Sequence, residues 1–255
     1  MTTTLLVTFG VVLLISGVFS MFGKGGGSLY TPVLVMLGFE LGQAISTALF
    51  LNLITALVAT SVFARNRLVD WRFCGTFLPG TILGSLLGAV LSSHSPRELL
   101  LGIFAAFLVV AGVLMIRTPK GEGGEADTRP LRGWTLTTVV AVSFGVGVLS
   151  SLIGVGGGLV IFPFLVLYMR YPAQKAAGAN SFIVTVSSVV GTLGHFAIGH
   201  ADFLLLAVTT VAAAVGSAIG SHVTVKASPK FVKVAFAFIL WFFAGQITLN
   251  LLRLV

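Results

Sequence analysis

The chain has 255 residues and a formal net charge of +8, and 56% of its residues are hydrophobic while only 9% are charged. Its mean hydropathy is +1.08, so it has too little polar surface for a soluble domain of this length. The composition therefore excludes a soluble globular protein and predicts an integral membrane protein. A lone cysteine, Cys74, excludes an internal disulfide and any multi-cysteine metal site.

Apolar segments follow one another along the chain, each near the roughly 20 residues that a membrane-spanning helix requires. Their approximate bounds are 3–22, 41–63, 73–93, 98–116, 134–153, 176–198, 203–225 and 231–252. The first segment lacks the basic start and cleavage signal of a secretory signal peptide, and we interpret it as a retained helix. The pattern predicts an all-α integral membrane protein that crosses the bilayer several times.

Two glycine-rich breaks, at 23–27 and 154–158, interrupt the apolar pattern at matching places in the two halves of the chain. The breaks lie 131 residues apart, and the same offset aligns Ser20 with Ser151, Pro32 with Pro163 and Gln43 with Gln174. We interpret the chain as a duplication, with a first membrane repeat at 1–116, a hydrophilic linker at 117–133 and a second repeat at 134–255. A central break in each copy is typical of secondary transporters.

The basic residues indicate how the repeats are oriented. If eight helices simply alternate across the bilayer, eight basic residues lie on one side of the membrane and six on the other, which is no bias. If each break instead turns its helix back, so that segments 28–37 and 159–169 return to the side they came from, the division becomes twelve against two. Each half then makes three net crossings, which predicts an inverted repeat of two halves, each with a Gly-broken helical hairpin plus three transmembrane helices. The linker is then cytoplasmic. Both termini lie on the non-cytoplasmic side of the cell (inner) membrane.

Lys24 stands inside the first break, where burying an ammonium costs at least a few kcal/mol. All seven acidic residues fall at predicted helix ends or in loops, so we hypothesise that the counter-charge of Lys24 is an anionic ligand. Half-helices starting near Ser28 and Leu159 would add free amides and positive dipole ends, and glycine lets such amides approach an oxyanion closely. The alternative is that the glycines permit close helix packing and that Lys24 extends to an interface.

Hydroxyl and carboxamide groups near the breaks could replace the lost hydration of an anion, or else bond their own or neighbouring helices. His195 is a candidate for carrying a coupling proton, the alternative being an interfacial histidine. No metal site and no cofactor are predicted. The candidate substrate-binding residues are Lys24, Gly25, Gly26, Gly27, Ser46, Thr47, Asn52, Gly156, Gly157, Gly158, Asn180 and Ser181.

Small residues recur every fourth position on two of the predicted helices, which predicts a close-packing seam on each. We expect these seams to join helices within one protomer, with a dimer interface as the alternative. Asp70 and Asp202 correspond between the repeats and are predicted to be N-caps. The seam residues are Gly80, Gly84 and Gly88 in the first half, and Ala212, Gly216 and Gly220 in the second.

The two breaks and their flanks resemble a known family. The matching residues are Gly23-Lys24-Gly25-Gly26-Gly27 with Pro32 and Gln43 to Thr47, and Gly154-Val155-Gly156-Gly157-Gly158 with Pro163 and Gln174 to Ser181. This pattern is similar to that of the TauE/SafE family of sulfite exporters and related permeases. The resemblance implies a membrane exporter of small sulfur-containing anions such as sulfite, sulfonates or thiosulfate, with transport of another small anion as the alternative.

An inverted-repeat carrier of this kind would work by alternating access around a midplane site. An intramembrane enzyme is the less favoured class, because no phosphate loop, metalloprotease motif or nucleophile turn is present. The basic charge indicates topology rather than nucleic-acid binding. The expected partners are therefore the anion and the lipid bilayer, and the oligomeric state stays open.

Overall fold

A computed structural model describes residues 2–92, 97–117, 134–153, 158–196 and 203–254. Throughout these ranges the chain forms α-helices joined by short connections. In chain order the helices are α1 (Thr2–Ser20), α2 (Gly27–Met36), α3 (Leu41–Arg65), α4 (Trp71–Ser92), α5 (Arg97–Arg117), α6 (Trp134–Ile153), α7 (Gly158–Leu167), α8 (Ala173–Phe196), α9 (Phe203–Lys226) and α10 (Pro229–Leu254).

The predicted all-helical class is confirmed, and each apolar segment coincides with a helix to within a few residues. Among the described residues, three helical stretches are both long and apolar enough to cross a membrane, namely Gly42–Arg65, Leu204–Lys226 and Pro229–Leu249. Two 10-residue helices, α2 and α7, follow the positions of the breaks. Each contains a proline, which removes one backbone donor and leaves a carbonyl in the first turn without its usual helical partner.

The helices form two compact units, each of which takes helices from both halves of the sequence. The first unit consists of Met1–Cys74 and Ala177–Lys226, and the second of Gly75–Ala176 and Ala227–Val255. The division into repeats at 1–116 and 134–255 describes a duplication of the sequence rather than these units, and it stays a prediction. The linker beyond Arg117, at 118–133, lies outside the described residues.

Each unit has its own apolar core. In the first unit, Tyr30 of the short helix α2 is fully buried and packs with Val12 of α1 and Leu51 of α3. In the second unit, Phe162 of α7 lies 4.4 Å from Phe236 of α10, measured between ring centroids. Each short helix is thus enclosed by longer ones, which stabilises a segment too short to be helical alone.

The small-residue seams join helices within the chain, as expected. A Cβ on Gly84 of α4 would overlap the Phe144 carbonyl oxygen of α6, and a Cβ on Gly216 of α9 would overlap the Leu13 carbonyl oxygen of α1. Leu13 and Phe144 are 131 residues apart, like the two breaks. The same packing therefore recurs once in each unit, α4 on α6 in one and α9 on α1 in the other, which supports the duplication.

Helix ends follow the local sequence. The Asp70 side chain accepts a hydrogen bond from the backbone amide of Phe73 at 3.1 Å, so the predicted N-cap of α4 is confirmed. Its proposed counterpart, Asp202, lies outside the described residues. At the C-terminal end of α3, the amide of Leu68 donates to the Phe63 carbonyl at 2.9 Å. Arg67 takes a left-handed conformation there, with φ of 56°. That is the geometry of a Schellman cap with arginine where glycine is usual.

Replacing Arg67 by glycine is expected to stabilise the protein by about 0.5–1 kcal/mol, because a left-handed conformation strains any residue with a Cβ. Unfolding of the purified protein in detergent, followed by tryptophan fluorescence, measures the change. Asn66→Gly is the matched control, since Asn66 has a φ of −93° and its side chain donates to the Val62 carbonyl. The control should destabilise the protein. Stabilisation by both variants would contradict the cap geometry.

Candidate functional site

The first break has a defined turn geometry. Gly23 is left-handed with φ of +63°, and its amide donates to the Ser20 carbonyl at 3.0 Å. The next amide, that of Lys24, donates to the Phe19 carbonyl at 3.1 Å. These two bonds form a Schellman motif that ends α1. Glycine is required at its left-handed position because a Cβ there would also overlap the Ala177 carbonyl oxygen of α8.

Lys24 is buried by the turn, with 3% of its surface exposed. Its Nζ lies 5.0 Å from the centroid of the Phe19 ring and donates to Ser28 Oγ at 2.9 Å. A Schellman motif commonly places an apolar contact between these two helix-end positions, and here a cation–π contact takes that place. The side chain thus links the end of α1 to the first turn of α2.

The electrostatics at this point are strongly positive. Ser28 is the second residue of α2, so the ammonium of Lys24 lies at the amino end of that helix. The helix dipole also places partial positive charge there. Two positive contributions therefore coincide in a buried place, and a bound anion would lower the free energy of both.

The start of α2 is capped from another helix. Gly26 occupies the N-cap position and has no side chain with which to accept a hydrogen bond. Asn52 of α3 supplies the acceptor, with its Oδ1 receiving the Gly27 amide at 3.0 Å. The Nδ2 of the same carboxamide donates to Ser188 Oγ of α8 at 2.6 Å. The side chain of Asn52 thus joins three helices.

The end of α1 is held in a similar way by Asn180 of α8, which is fully buried. Its Nδ2 donates to the carbonyl of Phe22 at 2.8 Å. The neighbouring Ser181 donates its hydroxyl to the Gly178 carbonyl of its own helix at 2.8 Å. Asn180 thus contacts the first break with its side chain, although its helix belongs to the second half of the sequence.

The glycines of the first break pack against protein atoms. A Cβ on Gly25 would lie 2.8 Å from the Asn52 carbonyl oxygen, and one on Gly26 would lie 2.5 Å from Tyr30 Cζ. A Cβ on Gly27 would lie 3.0 Å from Oδ1 of Asn52. Close packing of the chain on itself is thus one function of these glycines, as the alternative interpretation of the sequence held.

Two further candidates lie on α3. Ser46 and Thr47 are buried, at 5% and 0% exposure. Within the described part of the chain, Oγ1 of Thr47 has no hydrogen-bond partner. A buried hydroxyl without a partner is costly, so this atom is suited to a ligand or a water molecule.

The remaining candidates are described only in part. Gly158 begins α7 and is buried, whereas Gly156 and Gly157 lie outside the described residues. His195 falls in the last turn of α8, and its side chain lies outside the described residues. The described part of the chain contains no group of three or more histidine, cysteine or acidic residues that could hold a metal ion.

A family model described as Sulfite exporter TauE/SafE matches residues 8–247. The chain belongs to the TauE/SafE family. This match spans both breaks and includes at least part of each of the ten described helices. The protein is therefore a membrane transporter rather than an enzyme, and its helices are those of a multi-pass membrane protein.

Related TauE/SafE proteins are similar over most of their length. The chain is 27% identical to the probable membrane transporter protein YunE of Bacillus subtilis, with 90% of this chain and 91% of YunE covered. It is 23% identical to the probable membrane transporter protein MJ0441 of Methanocaldococcus jannaschii, covering 92% and 91%. It is 24% identical to the probable membrane transporter protein YdhB of Bacillus subtilis, covering 94% and 98%. No solved structure matches the chain with significant similarity.

Three residues of this TauE/SafE site were not predicted from the sequence: Phe19, Ser28 and Ser188. Phe19 could have been found, because a left-handed glycine at position 23 predicts contact between the residue after it and the one four positions before it. Ser28 lies four residues after Lys24, but the break makes helical spacing an unreliable guide. Ser188 gives no sequence signal, since only the packing of α8 brings it to Asn52.

Proposed function

We propose that this transporter exports a small sulfur-containing anion, such as sulfite, a sulfonate or thiosulfate. The observation that carries the proposal is the buried ammonium of Lys24 at the amino end of α2. A tetrahedral or pyramidal oxyanion matches such a site because several oxygens can accept from the ammonium, from amides and from hydroxyls together. The family description, which names sulfite, supports the same class of substrate.

The proposed binding groups differ in role. Lys24 supplies the charge, and the amides of the two breaks supply fixed partial charges, at Gly25, Gly26 and Gly27 and again at Gly156, Gly157 and Gly158. The hydroxyls of Ser46, Thr47 and Ser181 would replace the lost hydration of the anion, and Asn52 and Asn180 complete the polar surroundings of the first break through their hydrogen bonds to its backbone. The unpartnered Oγ1 of Thr47 is the hydroxyl with the clearest capacity for a ligand.

The proposed mechanism is alternating access around a midplane site between two inverted repeats. The distribution of basic residues supports a cytoplasmic linker at 117–133, with both termini on the non-cytoplasmic side of the inner membrane. In this scheme His195 is the candidate carrier of a coupling proton, because its ordinary titration falls near neutral pH. The duplicated packing of α4 on α6 and of α9 on α1 supports the repeat itself.

Flux in proteoliposomes tests the proposal. Purified protein is reconstituted, and uptake of radiolabelled sulfite and thiosulfate is measured with and without a pH gradient, against empty vesicles. Saturable uptake of either anion is expected. An ammonium and amides also bind other oxyanions, so phosphate, nitrate and chloride are offered as competitors. Competition by one of these, without uptake of any sulfur-containing anion, would replace the proposed substrate with another small anion.

A further inference from the structure

The loop that carries Lys24 is held at both ends by asparagine side chains. Asn180 binds the Phe22 carbonyl where α1 ends, and Asn52 binds the Gly27 amide where α2 begins. The two asparagines are 128 residues apart in the sequence and come from different halves of the chain. Both bonds join a side chain to the backbone of the loop, so they act on its shape rather than on one side chain.

The two bonds satisfy backbone polar groups at the two ends of the break. The Schellman motif uses the carbonyls of Phe19 and Ser20 but not that of Phe22. Gly26 offers no side chain to cap α2, and the amide of Gly27 has its acceptor on another helix. The asparagines supply one donor and one acceptor where the break needs them.

The Schellman motif fixes the first part of the loop, at Gly23 and Lys24, and the part that follows consists of glycines until α2 begins. Between Phe22 and Gly27 the loop has three glycines and Lys24, and glycine restricts the backbone less than any other residue. The position of the ammonium therefore depends on contacts from outside the loop. The carboxamides of Asn52 and Asn180 are buried polar contacts of that kind, and buried hydrogen bonds are costly to lose.

We infer that Asn180 and Asn52 are positioning residues, which set the anion site by holding the Lys24 loop rather than by binding the anion themselves. This inference rests on the proposed function and changes the role first assigned to these two residues. The carboxamide of Asn52 already uses its oxygen on Gly27 and its nitrogen on Ser188. Because α8 carries Asn180, the loop of the first half is tied directly to a helix of the second half.

The test compares Asn180→Ala with wild type in the full-length protein. Affinities for thiosulfate, a dianion, and methanesulfonate, a monoanion, are measured by isothermal titration, and hydrogen exchange is followed by mass spectrometry over residues 19–28. Asn66→Ala is the matched control, because Asn66 also donates to a backbone carbonyl, that of Val62 at 2.8 Å, away from the break. If Asn180→Ala does not fold, Asn52→Ala tests the other end of the loop.

We expect Asn180→Ala to lower the affinity for thiosulfate about tenfold, the effect of losing one buried hydrogen bond. The affinity for methanesulfonate should fall less, because displacing the ammonium weakens the binding of a dianion more than that of a monoanion. Exchange over residues 19–28 should rise, and the control should change neither quantity. Weaker binding with unchanged exchange would make Asn180 a direct ligand and overturn the inference, as would faster exchange with unchanged affinity. Absence of binding in wild type would contradict the proposed function, while the exchange data would still test whether the asparagines hold the loop.

Discussion

Gly23→Ala is expected to lower the free energy of unfolding by about 2–5 kcal/mol. The left-handed conformation of Gly23, with φ of +63°, costs any residue with a Cβ roughly 1–2 kcal/mol. The new methyl group would also overlap the Ala177 carbonyl oxygen and lie 2.7 Å from the Ser181 amide nitrogen. Both atoms are backbone and cannot rotate away, so relief requires α8 to shift, at an added cost of about 1–3 kcal/mol. Unfolding in detergent, followed by tryptophan fluorescence, measures the loss.

Two other glycines separate the contributions to that loss. Gly38 is also left-handed, with φ of +93°, but a Cβ there would meet nothing within 4 Å. Gly38→Ala should therefore cost only the backbone strain, about 1–2 kcal/mol. Gly10 lies in α1 with nothing within 4 Å, so Gly10→Ala should be neutral or stabilising by up to about 1 kcal/mol. A loss for Gly23→Ala no greater than that for Gly38→Ala would contradict the packing of the first break on α8.

The sequence predicted the features that depend on local pattern or on internal repetition. Apolar length gave the positions of the helices, and the glycines with the following prolines gave the short helices α2 and α7. The seams were predicted because glycines at every fourth position form one smooth face of a helix. Aligning the two halves of the sequence paired Gly84 with Gly216. Each of these glycines packs against a backbone carbonyl, Gly84 against that of Phe144 and Gly216 against that of Leu13.

What the sequence did not predict depends on which helices meet. The donation from Asn180 to Phe22 joins residues 158 positions apart, and no local rule selects that pair. Asn52 and Asn180 were predicted either to bind the anion or to bond neighbouring helices, and their contacts in the structure are with the backbone of the break and, for Asn52, with Ser188. The two compact units were not predicted either, because each mixes helices from both repeats, and a repeat boundary in sequence does not specify which helices pack together.

Lys24→Gln is expected to weaken binding of sulfite and thiosulfate at least about thirtyfold, or about 2 kcal/mol, while the protein stays folded. Glutamine keeps a similar length and a donor for Ser28 Oγ but removes the charge, so the variant isolates the electrostatic contribution. Isothermal titration of the purified protein gives the dissociation constants, and unfolding in detergent gives the stability. Stability should be unchanged or higher, because a buried ammonium no longer has to be desolvated.

The matched control is Lys230→Gln, which removes the same charge from an exposed position in the first turn of α10. It should leave both affinities unchanged, so a loss confined to Lys24→Gln would come from the site and not from the net charge of the protein. The loss should also persist at high salt, since screening acts mainly on exposed charges. Unchanged affinity in a folded Lys24→Gln protein would remove Lys24 from the anion site. Anion binding would then have to depend on the helix amides and hydroxyls alone, which carry only partial positive charges.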